Sequence, residues 1–220
     1  MQRFFRDNGL SLVLLALFLL FWGAQSYTGW QVENEDREEH EQPALTYPAY
    51  LQSGHFIEAT FENWESEFLQ MGVYVLLTAV LYQKGSAESK SLDGPEEVDQ
   101  DPREAQHRPG VPWPVRRGGW VLALYEHSLS LALLGLFAGS FLLHAAAGAR
   151  EYSHEQILHG QPAVSMLGYM ASSQFWFESF QNWQSEFMVV AVLAGAAVFL
   201  RQRGSNESKP VAAPHAETGV

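Results

Sequence analysis

Shifted against itself by 119 residues, the sequence matches without a gap. Arg6–Lys90 aligns with Tyr125–Lys209, and 29 of the 85 paired positions are identical. LSLVLLALF from Leu10 answers LSLALLGLF from Leu129, and HEQPA from His40 answers HGQPA from His159. FENWESEF from Phe61 answers FQNWQSEF from Phe180, and KGSAESK from Lys84 answers RGSNESK from Arg203. Identity of this extent at one constant offset indicates internal duplication, so both halves are expected to adopt the same two-helix unit.

Each copy carries two apolar segments. The first runs over 10–27 and recurs over 129–147, and the second is centred on Val73–Leu81 and recurs within Phe187–Leu200. A spanning helix needs about 20 residues to cross a hydrocarbon core of about 30 Å. Leu69–Leu81 is too short for that, so the second span must begin near Phe61 and take in the NWESEF segment. The expected architecture is an all-α membrane protein with four transmembrane helices over about 10–27, 61–82, 129–147 and 180–200. They form two tandem two-helix repeats, residues 1–92 and 119–209, related by a parallel pseudo-two-fold axis. Arg3, Arg6 and the apolar run Leu10–Trp22 also fit a secretory signal peptide. The matching segment in mid-chain favours a retained first span.

Average properties conceal this pattern. Mean hydropathy is −0.12 and net charge −12 because polar and apolar residues are segregated into blocks. Absence of cysteine excludes disulfides, thiolate metal sites and a cysteine nucleophile. A pI near 5.0 argues against nucleic-acid binding, which needs a basic face.

Eleven of the 13 basic residues fall in the N-terminus, the Gln83–Gly119 linker and the C-terminal tail. The positive-inside rule then places both termini and the linker in the cytoplasm. The linker over 93–118 holds Pro95, Pro102, Pro109, Pro112 and Pro114 among mixed charges and reads as a disordered tether, with a tail over 210–220. On the other side, Glu33, Glu35, Asp36, Glu38, Glu39 and Glu41 have no acidic counterparts at the matching positions except Glu155, and read as a solvated loop.

The sharpest candidate site is the paired motif N-W-x-S-E-F. Asn63 and Glu67, like Asn182 and Glu186, are spaced i, i+4 and share a helix face. Ionisable residues at membrane depth face the bundle interior and suggest function. Pseudo-symmetry would bring Glu67 toward Glu186, where two close carboxylates resist ionising together. Gln25 and His144 occupy matching positions near the outer ends of the first and third spans, extending the candidate ion or ligand cluster. The competing structural reading makes the glutamates helix-start anchors, with Trp64 and Trp183 marking the interface. Gly135 with Gly139, and Ala191 with Gly195, form small-xxx-small pairs that suggest helix packing. His154-Glu155 and His159 imitate a zinc-binding helix but are one residue too widely spaced, so no metal site is expected. No GxSxG, phosphate-loop or dinucleotide motif occurs, and no cofactor is expected.

RFFRDNGLSL, the HxQPA segment, NWxSEF and GSxESK together resemble an uncharacterised family of bacterial integral membrane proteins, domain of unknown function 6766. The resemblance covers Arg3–Lys90 and Glu126–Lys209 and implies a multi-pass protein of the bacterial cytoplasmic membrane. It implies no activity, substrate or catalytic residue. The expected function is therefore a non-enzymatic scaffold or accessory subunit in the lipid bilayer, assembled with a membrane-protein partner or as a homo-oligomer. The alternative is a small transporter or ion- or proton-binding protein using the Glu67/Glu186 pair. An intramembrane enzyme ranks below both.

Overall fold

The computed structural model describes residues 2–219, and among these it contains nine α-helices, two short 3₁₀ turns and no strand. The long helices are α2 (Gly9–Glu39), α4 (Gly54–Val80), α7 (Ser128–Leu158) and α9 (Ser173–Ala196). Short helices precede or join them: α1 (Gln2–Asp7), α3 (Tyr47–Tyr50), α5 (Trp113–Arg117), α6 (Gly119–Glu126) and α8 (Met166–Met170). The 3₁₀ turns, Glu97–Asp99 and Pro102–Ala105, lie with α5 in the proline-containing linker.

Among the described residues two helices, α2 and α7, are long and apolar enough to cross a membrane, rather than the four expected. The difference lies in composition. α4 and α9 have 27 and 24 residues, sufficient in length, but α4 carries Glu58, Glu62, Glu65 and Glu67, and α9 carries Glu178 and Glu186. At 31 residues each, α2 and α7 measure about 46 Å at 1.5 Å per residue, about 16 Å beyond a hydrocarbon core. The acidic run is correspondingly helical up to Glu39 rather than a loop. Its Glu33 is 8% exposed and pairs with Arg37 at 3.5 Å.

Local chemistry fixes the boundaries. Ser53 Oγ accepts the Phe56 amide at 3.2 Å and Ser172 Oγ accepts the Phe175 amide at 3.3 Å, so each serine caps the helix that follows. These caps start α4 and α9 seven residues ahead of the expected 61 and 180. At the other ends of α2 and α7, the Gln42 amide donates to Arg37 O and the Gln161 amide to Gln156 O, both at 2.7 Å. Each closure needs a left-handed residue, supplied by Glu41 (φ 56°) and Gly160 (φ 73°).

The chain divides into two compact units, one of Met1–Phe61 with Leu142–Phe175 and one of Glu62–Phe141 with Trp176–Val220. The first is centred on tyrosines lying against glycines. Tyr50 is 2% exposed and Tyr169 fully buried. A Cβ at Gly29 would meet the Tyr50 hydroxyl, and one at Gly148 would lie 2.6 Å from the Tyr169 ring and hydroxyl. Trp22 stacks on Phe56 at 6.2 Å, and its Nε1 donates to Thr60 Oγ1 at 3.4 Å.

In the second unit a Cβ at Gly72 would lie 3.2 Å from Leu134. Phe137 meets Trp183 edge-on at 6.1 Å. Beyond α4 and α9 the chain makes two turns with matching hydrogen bonds. The Gln83 and Gln202 amides donate to Ser89 and Ser208 Oγ, both at 2.9 Å, and the Glu88 and Glu207 amides donate to Ser86 and Ser205 Oγ, both at 3.1 Å. Gly85 and Gly204 adopt φ of 86° and 85° within them. The C-terminal strap closes on the first turn, with the Gly219 amide donating to Ser86 O at 3.1 Å.

Candidate functional site

Within the second unit, α4 and α9 present acidic residues to amide, hydroxyl and indole donors. Glu65 is fully buried, and its Oε1 accepts from Ser179 Oγ at 3.0 Å and Trp183 Nε1 at 3.3 Å. One turn earlier, Glu62 Oε1 accepts from Asn182 Nδ2 at 2.5 Å and Gln181 Nε2 at 3.5 Å. One turn later, Gln70 is 7% exposed and donates to the Glu186 carbonyl at 3.0 Å. Interhelical polar contacts of this kind contribute about 0.6 kcal/mol each and up to about 2 where hydrocarbon surrounds them. Removing a donor from buried Glu65 would cost more, because an unsatisfied buried carboxylate retains its desolvation penalty.

Glu67 and Glu186 lie within electrostatic range of each other, as the repeat pattern anticipates. Asn182 turns to Glu62 instead of joining Glu186, while Asn63 is exposed. The Asn63 and Asn182 carbonyls accept from Ser66 and Ser185 Oγ at 2.7 and 2.8 Å, closing matching i, i+3 bonds within each helix. Trp183 serves as a hydrogen-bond donor to Glu65, and Trp64 is half-buried. Gly135, Gly139 and Gly195 have open space where a Cβ would project, so the expected close packing at these glycines is absent. Ala191 lines a cleft where α4 and α9 end. Close approach occurs instead at Gly29, Gly148 and Gly72.

Gln25 and His144 belong to the first unit. Gln25 is exposed, whereas His144 is fully buried, stacked on Phe175 at 5.0 Å with Tyr169 edge-on at 6.3 Å. Glu58 lies beside this cluster. It accepts from Tyr169 Oη at 3.0 Å and brings a carboxylate oxygen within 4.8 Å of a His144 ring nitrogen. Further along the unit, burial and the charge of Glu33 push the Glu151 carboxyl above its ordinary range. Burial also pushes Tyr50, with Glu33 and Glu151 nearby, up to about 12. His154 and His159 take separate partners, Gln42 and the Glu155 carbonyl.

Sequence reasoning missed Glu62, Glu65 and Glu58. Their positions in the other copy hold Gln181, Gln184 and Phe177, so a search weighted toward repeated residues passes over them. The usable signal was charge on an otherwise apolar helix, with Glu58, Glu62 and Glu65 spaced along one side of α4.

No curated protein and no solved structure matches this chain. The profile of a domain of unknown function (DUF6766) matches residues 1–220, and the chain belongs to that family.

Proposed function

We propose that this chain is a four-span protein of the bacterial cytoplasmic membrane, with both termini and the linker cytoplasmic. It has no enzymatic activity of its own and binds a proton or small cation at the acidic seam between α4 and α9. In this reading α4 and α9 are the second spans of two tandem repeats. They tolerate their charges because donors on the facing helix satisfy them. The burial of Glu65 beneath Ser179 and Trp183, beside the close Glu67 and Glu186, carries the reading. The matched serine caps, helix closures and post-helix turns, all 119 residues apart, support the duplicated architecture.

The test is thermal stability in mild detergent from pH 5 to 8, comparing wild type with the double variant Glu67→Gln, Glu186→Gln. If the pair is held together for binding, the variant should match or exceed wild type and lose its pH response. A variant that is less stable by about 1 kcal/mol per site, with the pH response intact, would make the glutamates helix-start anchors.

A second reading, a scaffold or accessory subunit, is favoured by α2. Only 6% of its most apolar 18-residue window is buried within the chain, against 22% for α7. That surface requires lipid or another helix. A stable partner retained through purification in mild detergent would support the scaffold role, and a monodisperse single chain would count against it.

A further inference from the structure

We propose that the cleft where α4 and α9 end binds a lipophilic cation, an organic ammonium or phosphonium on an apolar body, with Glu88 and Glu207 as its counter-charge. The cleft encloses about 320 Å³. Leu77, Leu81, Val190 and Ala194 form apolar walls, and Tyr74 and Glu88 stand at the polar end. The two glutamates occupy equivalent places in the two matching turns and lie within electrostatic range of each other. Tyr74 Oη donates to Glu88 Oε2 at 3.3 Å and fixes it toward the cleft.

The neighbouring cations are already engaged. Lys90 is 2.6 Å from Asp99, and Lys209 donates to the carbonyls of Pro214, His215 and Glu217. The Lys90 ammonium also lies 5.6 Å from the Tyr82 ring, which lines the same cleft and so presents a face that accepts positive charge. Excess negative charge at one end of an apolar cavity selects a cation. The titratable groups facing Glu88 are Glu207 and Tyr74. Burial, reinforced by the charge of Glu207, raises the Glu88 carboxyl above its ordinary range, and a bound cation favours its ionised form. Affinity therefore rises with pH as Glu88 ionises. This site is separate from the Glu67/Glu186 pair, so either can fail without the other.

The experiment is equilibrium dialysis of the full chain in mild detergent against tetraphenylphosphonium, with tetraphenylborate as an ion of similar shape and opposite charge. Wild type should hold the phosphonium at least tenfold more tightly than the borate, with affinity increasing from pH 5 to 8. The variant Glu88→Gln, Glu207→Gln should lose at least tenfold and become insensitive to pH. Equal retention of the two ions, or a folded double variant that binds as wild type does, would reduce the observation to apolar partitioning and overturn the proposal. If the double variant does not fold, the phosphonium-to-borate ratio on wild type decides alone, and a ratio near one overturns the proposal.

Discussion

Glu41 is the only described non-glycine residue with positive φ, at 56°. It closes α2 in the same way that Gly160, at 73°, closes α7. A left-handed conformation costs a residue with a Cβ about 1–2 kcal/mol, while the extra chain entropy of glycine costs about 0.5–1. Glu41→Gly should therefore stabilise the protein by about 0.5–1 kcal/mol, and Gly160→Glu should destabilise it by at least as much. Thermal melting in detergent reads both. Glu41→Ala separates backbone from charge: it removes the carboxylate from the negative end of α2 but keeps the strain, so it should recover little. Equal gains from alanine and glycine would assign the effect to charge. The repeat made some of this chemistry legible. Equivalence of positions 67 and 186 points to a glutamate pair, and the structure brings those glutamates into electrostatic range. Glu65, the most deeply buried acidic residue of α4, was not legible in this way because the other copy has Gln184. Pseudo-symmetry highlights what two halves share, whereas Glu65 depends on Ser179 and Trp183, donors that face it from α9.

At the scale of the helix, the sequence showed that long helices form more readily than which of their faces pack. Gly135 and Gly139 satisfy a small-xxx-small pattern yet meet open space, because the pattern specifies spacing but supplies no partner surface. Gly29 and Gly148 have no small residue four positions away and carry the close packing. Their identity at the constant offset, together with that of Tyr50 and Tyr169, was the available sign. The two kinds of glycine should respond oppositely to alanine. Gly148→Ala places a methyl 2.6 Å from both Glu58 Oε1 and the Tyr169 hydroxyl, where the tyrosine is fully buried and cannot withdraw. The expected loss is about 1–3 kcal/mol. Gly135→Ala adds a methyl to open space inside a helix and should gain roughly 0.5–1 kcal/mol through the reduced freedom of the unfolded chain. Melting temperatures of the two variants in one detergent provide the comparison. A loss at Gly135 would reveal a packing partner from outside the chain, and no loss at Gly148 would contradict the Tyr169 contact. Helix starts were legible only in retrospect. The Ser53 and Ser172 caps are plain in the sequence, but membrane-thickness reasoning directed attention to the apolar centres and set the starts seven residues too late.

For the whole molecule, the placement of carboxyl groups determines how stability varies with pH. Burial is the leading cause that raises both Glu151 and Glu88, reinforced by Glu33 at the first and Glu207 at the second. A carboxyl group whose pKa is higher folded than unfolded binds more protons in the native state across the interval between the two values. Its contribution is fully present below the ordinary value of 4.5 and is lost as pH rises through the folded value. Asp99 has the opposite sign, since its hydrogen bond with Lys90 lowers it below 3.8. Its contribution fades only in more acidic solution, outside this interval. The protein should therefore lose stability as pH increases from about 4.5 toward neutrality, contrary to the usual maximum between about 5 and 8. Glu151→Gln isolates one source of this slope. Glu33, Glu155, His55 and His154 are the charged or titratable groups that act on this carboxyl, and all remain in the variant. Amide in place of carboxyl removes the proton linkage, so the melting temperature should vary less between pH 4.5 and 7 and exceed that of wild type at the upper end. A wild-type melting temperature that rises over this interval would show that Glu151 and Glu88 do not govern the response. A variant as steep as wild type would move the response away from Glu151, to the Glu88/Glu207 pair or the Glu67/Glu186 pair, which the double glutamine variants at those sites distinguish.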